Sequence, residues 1–197
     1  MSYPELSILI PAAGASRRLG KAKQLVRHKS GTLIQRIIDT AHSIKPREVI
    51  IVTGANAKAV KDQVPESKVR WVHNSKWSAG MGGSIAVGAE ILNPVSSAVM
   101  ILLCDQWRLE ELDLRLMADA WQRQPDRIIC AQADGVNMPP VIFPDSFFAR
   151  LCTLEGERGA RHLLKEFPDL LLPVSLENAH FDLDTQSQLN QLNNTNL

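Results

Sequence analysis

The chain has 197 residues, 45% of them hydrophobic, with 22 basic residues against 21 acidic ones and a formal charge of +1. That length and apolar content suit one sizeable α/β domain with a real core, and the near-balanced charge argues against a nucleic-acid partner and an acidic disordered tail. No apolar run approaches the ~20 residues of a bilayer span, MSYPELS lacks the layout of a signal peptide, and neither HxxxH nor CxxC spacing marks a zinc site, so a cytoplasmic protein without membrane contact is expected.

In chain order, SILIPAAG (7–14), EVIIVTGA (48–55), VRWVHN (69–74), VMILLCD (99–105) and RIICAQA (127–133) read as strands. They are apolar on both faces, as befits a sheet covered on both sides. Between the first two, TLIQRIIDTAHSI sets Leu33, Ile34, Ile37, Ile38, Ala41 and Ile44 on one helical stripe, with Thr32 as N-cap. GSIAVGAEIL reads as a helix stopped at Asn93-Pro94, and LEELDLRLMADAW as another amphipathic helix. Alternating strands and helices with short connections predict a mostly parallel, Rossmann-like sheet with helices on both faces.

After Asp134-Gly135 the rhythm changes. PPVIFP, a helix around DSFFARL, GARHLLKEF and LLLPVSL predict a mixed sheet edge and a lid. TQSQLNQL reads as a last short helix, and NNTNL (193–197) as a frayed end. We read residues 1–197 as a single domain, with a core over 1–133 and a lid region over 134–184. Cys104, Cys130 and Cys152 are far apart among apolar residues and read as buried, reduced thiols.

Ligands of open α/β sheets sit beyond the carboxyl ends of the strands. Directly after the first strand comes PAAGASRRLGKAKQL. Ala12, Ala13, Gly14, Ala15 and Ser16 are small enough for a ligand to reach the backbone N–H groups, and Arg17, Arg18, Lys21 and Lys23 surround them with positive charge. Small residues plus cations suggest a triphosphate cradle. It is neither a Walker loop nor GxGxxG: Gly14 and Gly20 have five residues between them, and Ala22 follows Lys21. Gly80, Gly82 and Ser84 lie in GMGGS, which opens a helix whose first turn has free N–H groups and a positive dipole. Asp105 ends an apolar strand, and Asp184 precedes the last helix. Each of these two suits a helix cap as well as a metal.

PAAGASRRLGKAKQL resembles the LAAGxSxRMGxxKxLL signature of the molybdenum-cofactor cytidylyltransferases and their guanylyltransferase relatives, of GT-A-like nucleotidyltransferase fold. VHNSKWSAGMGGSI, LLCDQW, GERGAR and FDLDT resemble four further segments of that family, in the same order. The departures are Pro11, Leu19, Val26 and, after Asp105, Trp107 where the family has proline. The resemblance implies that Asp105 and Asp184 bind Mg²⁺, with Asp182 and Thr185 in support. It implies that Ala12, Ala13, Gly14, Lys23, Gly80, Gly82 and Ser84 hold the nucleotide. Lys23 and Arg18 would steady the leaving pyrophosphate, with Lys23, Arg18 and Asp105 as the catalytic set. Arg158 and Arg161, in GERGAR, would grip the acceptor.

The implied reaction is transfer of CMP from CTP to the terminal phosphate of molybdopterin, with a molybdenum hydroxylase as possible client. CTP is favoured over GTP because Ala12-Ala13-Gly14 matches the cytidylyl branch. A guanylyltransferase, a sugar- or polyol-phosphate nucleotidyltransferase and a non-catalytic molybdenum-cofactor carrier stand as alternatives.

Overall fold

The computed structural model describes residues 2–28, 31–64 and 69–194. Its centre is a seven-stranded sheet of β1 (Tyr3–Pro11), β4 (Pro46–Thr53), β5 (Arg70–His73), β6 (Ala98–Ile101), β7 (Ile128–Ala133), β8 (Val136–Pro144) and β9 (Leu171–Ser175). Two antiparallel strands of two residues each, β2 (Arg27–His28) and β3 (Gly31–Thr32), form a separate small sheet. The order is β5-β4-β1-β6-β8-β7-β9. β4, β5 and β6 continue β1 in parallel, and β9 runs parallel to β7. Within the seven-stranded sheet β8 alone runs against its neighbours, pairing antiparallel with β6 on one side and β7 on the other. The expected mixed edge is therefore an interior antiparallel strand. Residues 134–184 build part of the main sheet as well as covering it.

Strand alternation sorts the side chains onto two cores. In β1, Leu6, Ile8 and Ile10 face one layer, and Leu9 faces the other with Ile50, Val52, Val99 and Ile101. Helix α1 (Leu33–Ser43) and helix α4 (Glu111–Arg123) cover the first face. The whole predicted α1 stripe is buried. Thr32 caps α1 reciprocally with Gln35: the Gln35 N–H donates to Thr32 Oγ1 (3.4 Å), and the Thr32 N–H donates to Gln35 Oε1 (2.8 Å). Helix α3 (Met81–Ala89), helix α5 (Phe148–Cys152) and helix α6 (Ala160–Glu166) pack on the second face. Two further helices, α2 (Ala57–Lys61) and α7 (Gln186–Asn194), complete the set. Of the expected frayed end, Asn193 and Asn194 close α7, and 195–197 lie outside the described residues.

All three cysteines are free, Cys104 and Cys130 buried and Cys152 half-buried. Among the described residues no helix is long and apolar enough to cross a membrane. Because β1, β4, β5 and β6 are parallel, the loops after Pro11, Thr53, His73 and Ile101 open on one edge of the sheet.

Candidate active site

That edge carries a cleft of about 340 Å³. Loop 13–19 with Lys23 and Gln24 forms one wall, and Trp77, Ser78, Gly80, Met81 and Ser84 form the other. Cys104, Leu183 and Asp184 lie below, and Glu157 is at the rim. The first wall is shaped by its own hydrogen bonds. Ser16 turns the chain with φ +54°, and its Oγ accepts from the Lys23 N–H at 3.1 Å. Gln24 is 1% exposed, and its Nε2 donates to the carbonyls of Ala12 and Gly14, both at 2.9 Å. These carbonyls are thereby fixed, and with them the backbone of the small-residue loop. Ala12 is buried beneath the wall, its N–H bonded to Val52 O at 2.8 Å, and stands outside the lining. Gly14 borders open space: a Cβ there would meet nothing within 4 Å.

The second wall is the start of α3. Gly80 has φ +126°, where an L side chain is strained. A Cβ on Gly82 would lie 2.7 Å from the carbonyl oxygens of both Glu155 and Arg158. Gly82 is therefore a packing glycine that lets segment 155–158 cross the helix, and it does not line the cleft. Ser84 is buried, lines the cleft, and accepts from Asn74 Nδ2 at 3.0 Å.

At the floor the charged residues meet. The Lys23 ammonium is bonded to Asp105 Oδ2 and lies 3.1 Å from Asp184 Oδ1. Arg18 Nη2 stands 3.6 Å from Asp184 Oδ2, with its side chain 82% exposed. Burial opposes the charge of Lys23, but Asp105 and Asp184 outweigh it and hold its pKa above the ordinary lysine value. Burial, with Asp105 and Asp184 adding to it, raises the carboxyl pKa of Asp182. Gln188 Nε2 donates to that carboxylate at 2.9 Å. Cys104 is buried at the same floor. Burial first, then Asp105, pushes its thiol up to about 12, so it stays protonated at neutral pH and is no nucleophile there.

Both helix-cap alternatives are answered. At α7 the cap is Thr185, whose Oγ1 accepts from the Gln188 N–H at 3.3 Å while Gln188 Oε1 accepts from the Thr185 N–H at 2.8 Å. At α4 the Glu110 N–H donates to Asp113 Oδ2 at 2.9 Å. Neither carboxylate serves as a cap: that of Asp184 lines the cleft, and that of Asp105, 6% exposed, lies behind the lining against the Lys23 ammonium. Arg158 and Arg161 are exposed and outside the lining, where Glu157 of the same segment stands instead. None of the five histidines lines the cleft. His73 is an exposed strand-end residue whose Nδ1 lies 3.4 Å from Thr53 Oγ1. Gln24, Asn74 and Glu157 were not singled out from the sequence. All three lie inside segments that carry the family resemblance, Gln24 in PAAGASRRLGKAKQL, Asn74 in VHNSKWSAGMGGSI and Glu157 in GERGAR.

Trp107 is 6% exposed and forms a third apolar cluster with Leu19, Val26, Leu33, Leu183, Leu189 and Leu192. Its ring meets His28 and Phe181 edge-on at 5.1 and 6.1 Å. Leu19 follows Arg18 and Leu183 precedes Asp184, so this cluster ties together the segments that carry the site's charges. A second anchor is Gln106, whose Nε2 donates to the carbonyls of Pro139 (2.6 Å) and Ala179 (2.8 Å).

Residues 8–171 match the MobA-like NTP transferase domain. The chain belongs to that family. Nicotine blue oxidoreductase from Paenarthrobacter nicotinovorans is 32% identical over 201 residues, covering 96% of this chain and 97% of its own. The bifunctional protein GlmU of Buchnera aphidicola subsp. Schizaphis graminum is 21% identical over 199 residues. All of this chain aligns with it and spans 42% of its length. Among solved structures, Rv0371C of Mycobacterium tuberculosis H37Rv in complex with manganese superposes with a TM-score of 0.81 at 21% identity, over 95% of this chain and 97% of that one. Molybdopterin-guanine dinucleotide biosynthesis protein A from Archaeoglobus fulgidus gives 0.66 at 13% identity, over 96% and 97%. These likenesses show the fold: this MobA-like chain has the α/β nucleotidyltransferase architecture, with a seven-stranded, mostly parallel mixed sheet.

Proposed function

We propose that this MobA-like NTP transferase moves CMP from CTP to the terminal phosphate of a molybdopterin-type acceptor and releases pyrophosphate. The observation that carries the reading is the meeting of Lys23, Asp105 and Asp184 at the floor of a cleft walled by a small-residue backbone loop. Two hard carboxylates on one cation are a donor set that suits Mg²⁺, which takes one or two carboxylates and completes its shell with phosphate oxygens and water. Asp105 and Asp184 would hold it. When bound there it neutralises phosphate charge and orients the groups that react.

The rest is work for the chain's own groups. Loop 13–16 offers backbone N–H groups and no bulk, with Ala12 buried beneath it. The start of α3 adds the positive end of a helix dipole opposite it. Lys23 and Arg18 supply cationic charge for the pyrophosphate, which leaves as the α-phosphorus is attacked. A phosphate monoester has its second pKa near ~6 and is largely dianionic at neutral pH, so no protein base has to take a proton. The absence of histidine from the cleft lining suits that chemistry. Ala12-Ala13-Gly14 supports CTP through its resemblance to the cytidylyl branch. A molybdenum hydroxylase as client is part of the same reading.

One observation favours a second reading: the full-length relative at 32% identity is named an oxidoreductase. In its favour, members of one fold carry different chemistries. Against it, the loop after β1 is not a GxGxxG dinucleotide fingerprint. The test is a panel of CTP, GTP, ATP and UTP with Mg²⁺ and molybdopterin, read as pyrophosphate, beside a parallel assay of reduced nicotinamide nucleotide with nicotine blue. Pyrophosphate with CTP above the others supports the proposal. Oxidation of the nicotinamide without pyrophosphate supports the second reading.

A further inference from the structure

The same ammonium touches both carboxylates assigned above to the metal. Lys23 Nζ is bonded to Asp105 Oδ2 and is 3.1 Å from Asp184 Oδ1. The side chains of Lys23 and Asp105 are only 22% and 9% exposed, so little solvent shares their contact. The backbone beneath is pinned. The Lys23 N–H is held by Ser16 Oγ at 3.1 Å, and Gln24 next to it grips two carbonyls of the loop. The mobile part is the four-carbon stem, which can swing the ammonium without moving the wall.

A divalent cation on the same two oxygens and the ammonium of Lys23 cannot share the position: both need the same lone pairs, and like charges in contact repel strongly in a half-buried place. The ammonium leaves only if another anion receives it. Beyond Asp105 and Asp184, the acidic side chains at hand are Asp182, which already interacts with Lys23 and both of these carboxylates, and Glu157 at the cleft rim. A triphosphate in the cleft supplies several anionic oxygens beside the loop from which Lys23 projects.

We propose that Lys23 occupies the cation position between Asp105 and Asp184 and excludes a divalent metal until a nucleoside triphosphate draws its ammonium away. Metal and nucleotide then bind cooperatively, and the coupling is reciprocal: each strengthens the other by the same factor. The inference rests on the metal assignment above, but not on the identity of the base or the acceptor. The device also accounts for a lysine placed against two carboxylates it must later give up. Removing it leaves Asp105 without a cationic partner and Asp184 with only the exposed Arg18 at 3.6 Å, and holding it in place keeps the cleft near neutral until substrate arrives.

The test is Mn²⁺ alone, titrated by electron paramagnetic resonance into the full chain without nucleotide or acceptor. Wild type, Lys23→Met, Lys23→Gln and Lys23→Arg are compared, with folding checked by circular dichroism. Lys23→Met and Lys23→Gln are expected to bind Mn²⁺ about tenfold or more tightly than wild type, within the usual range of coupling between sites. Lys23→Arg keeps the cation and is expected to bind as weakly as wild type. Adding CTP tightens Mn²⁺ binding to wild type by about the same factor and has a much smaller effect on Lys23→Met. Equal or weaker Mn²⁺ binding by both neutral variants overturns the proposal, as does Lys23→Arg binding as tightly as they do. If no variant and no nucleotide brings Mn²⁺ to the chain, the metal assignment itself falls. No outcome depends on turnover, so failure of CMP transfer is a separate result.

Discussion

At the scale of single residues the site is a small charge balance. Asp105 is 6% exposed, touches Lys23 and is free of any capping duty. Replacing it by asparagine keeps the shape and removes the charge, so the fold is expected to survive while the reaction loses several kcal/mol of transition-state stabilisation, about 10³-fold in rate. Steady-state rates on the folded variant check this, and retention of more than a tenth of the wild-type rate contradicts it. The sequence made Asp105 and Lys23 legible because each ends or follows a segment whose pattern places it at the ligand edge. It could not show that they touch, since 81 residues separate Lys23 from Asp105 and fill that gap. Gly82 is the reverse case. Its motif suggested nucleotide contact, whereas the carbonyls of Glu155 and Arg158 crowd against it. Close approach between backbones far apart in the chain leaves no local signal.

At the scale of elements the parallel half was legible and the returning half was not. The apolar stretches of β1, β4 and β6 are covered on both faces, whereas β5, expected from VRWVHN to be apolar on both faces, is an edge strand with Arg70 and His73 exposed and Trp71 and Val72 half-buried. β8 is also buried, from Met138 to Pro144, and reads the same way. Nothing in its composition says that it enters between β6 and β7 in the opposite sense. Trp107, where the family has proline, gains its meaning from packing. It fills the cluster that holds Leu19, Leu183 and the small β2–β3 sheet against the loop after Asp105. Arg36 Nε adds a bond to its carbonyl at 2.8 Å. Trp107→Ala is expected to cost about 3–5 kcal/mol of stability, as for a large buried aromatic. It should also raise the Michaelis constant for CTP, because Arg18 and Asp184 adjoin that cluster. Urea denaturation and CTP kinetics check the pair. Wild-type values for both would mean that the cluster does not support the site.

At the scale of the whole molecule the sheet and its helices are joined by polar as well as apolar contacts. Tyr3, 1% exposed, donates its hydroxyl to Asp119 Oδ1 of α4 at 2.5 Å. Burial, then Asp119, pushes the phenol from an ordinary 10.0 up to about 12. Folding therefore favours the protonated form. The stability it contributes is complete below pH 10, and is lost as pH rises from there through about 12. Cys130, raised by burial from 9.0 to about 11, acts in the same direction over a lower window. Urea midpoints are expected to fall from pH 9 upward, with Cys104 and Cys130 contributing alongside Tyr3 above 10, and Tyr3→Phe should reduce the fall above 10 without abolishing it while costing about 1 kcal/mol at neutral pH. An identical alkaline slope in Tyr3→Phe would assign that loss to other groups.

The most direct test of the proposed reaction follows the phosphorus atoms of CTP. With Mg²⁺ and molybdopterin, CTP labelled at the α-phosphate should transfer its label to the pterin product, and CTP labelled at the γ-phosphate should yield labelled pyrophosphate only. Asp105→Asn should abolish both transfers. γ-Label on the acceptor, or no label transfer from any NTP while wild type is folded and binds CTP, would contradict nucleotidyl transfer to that acceptor.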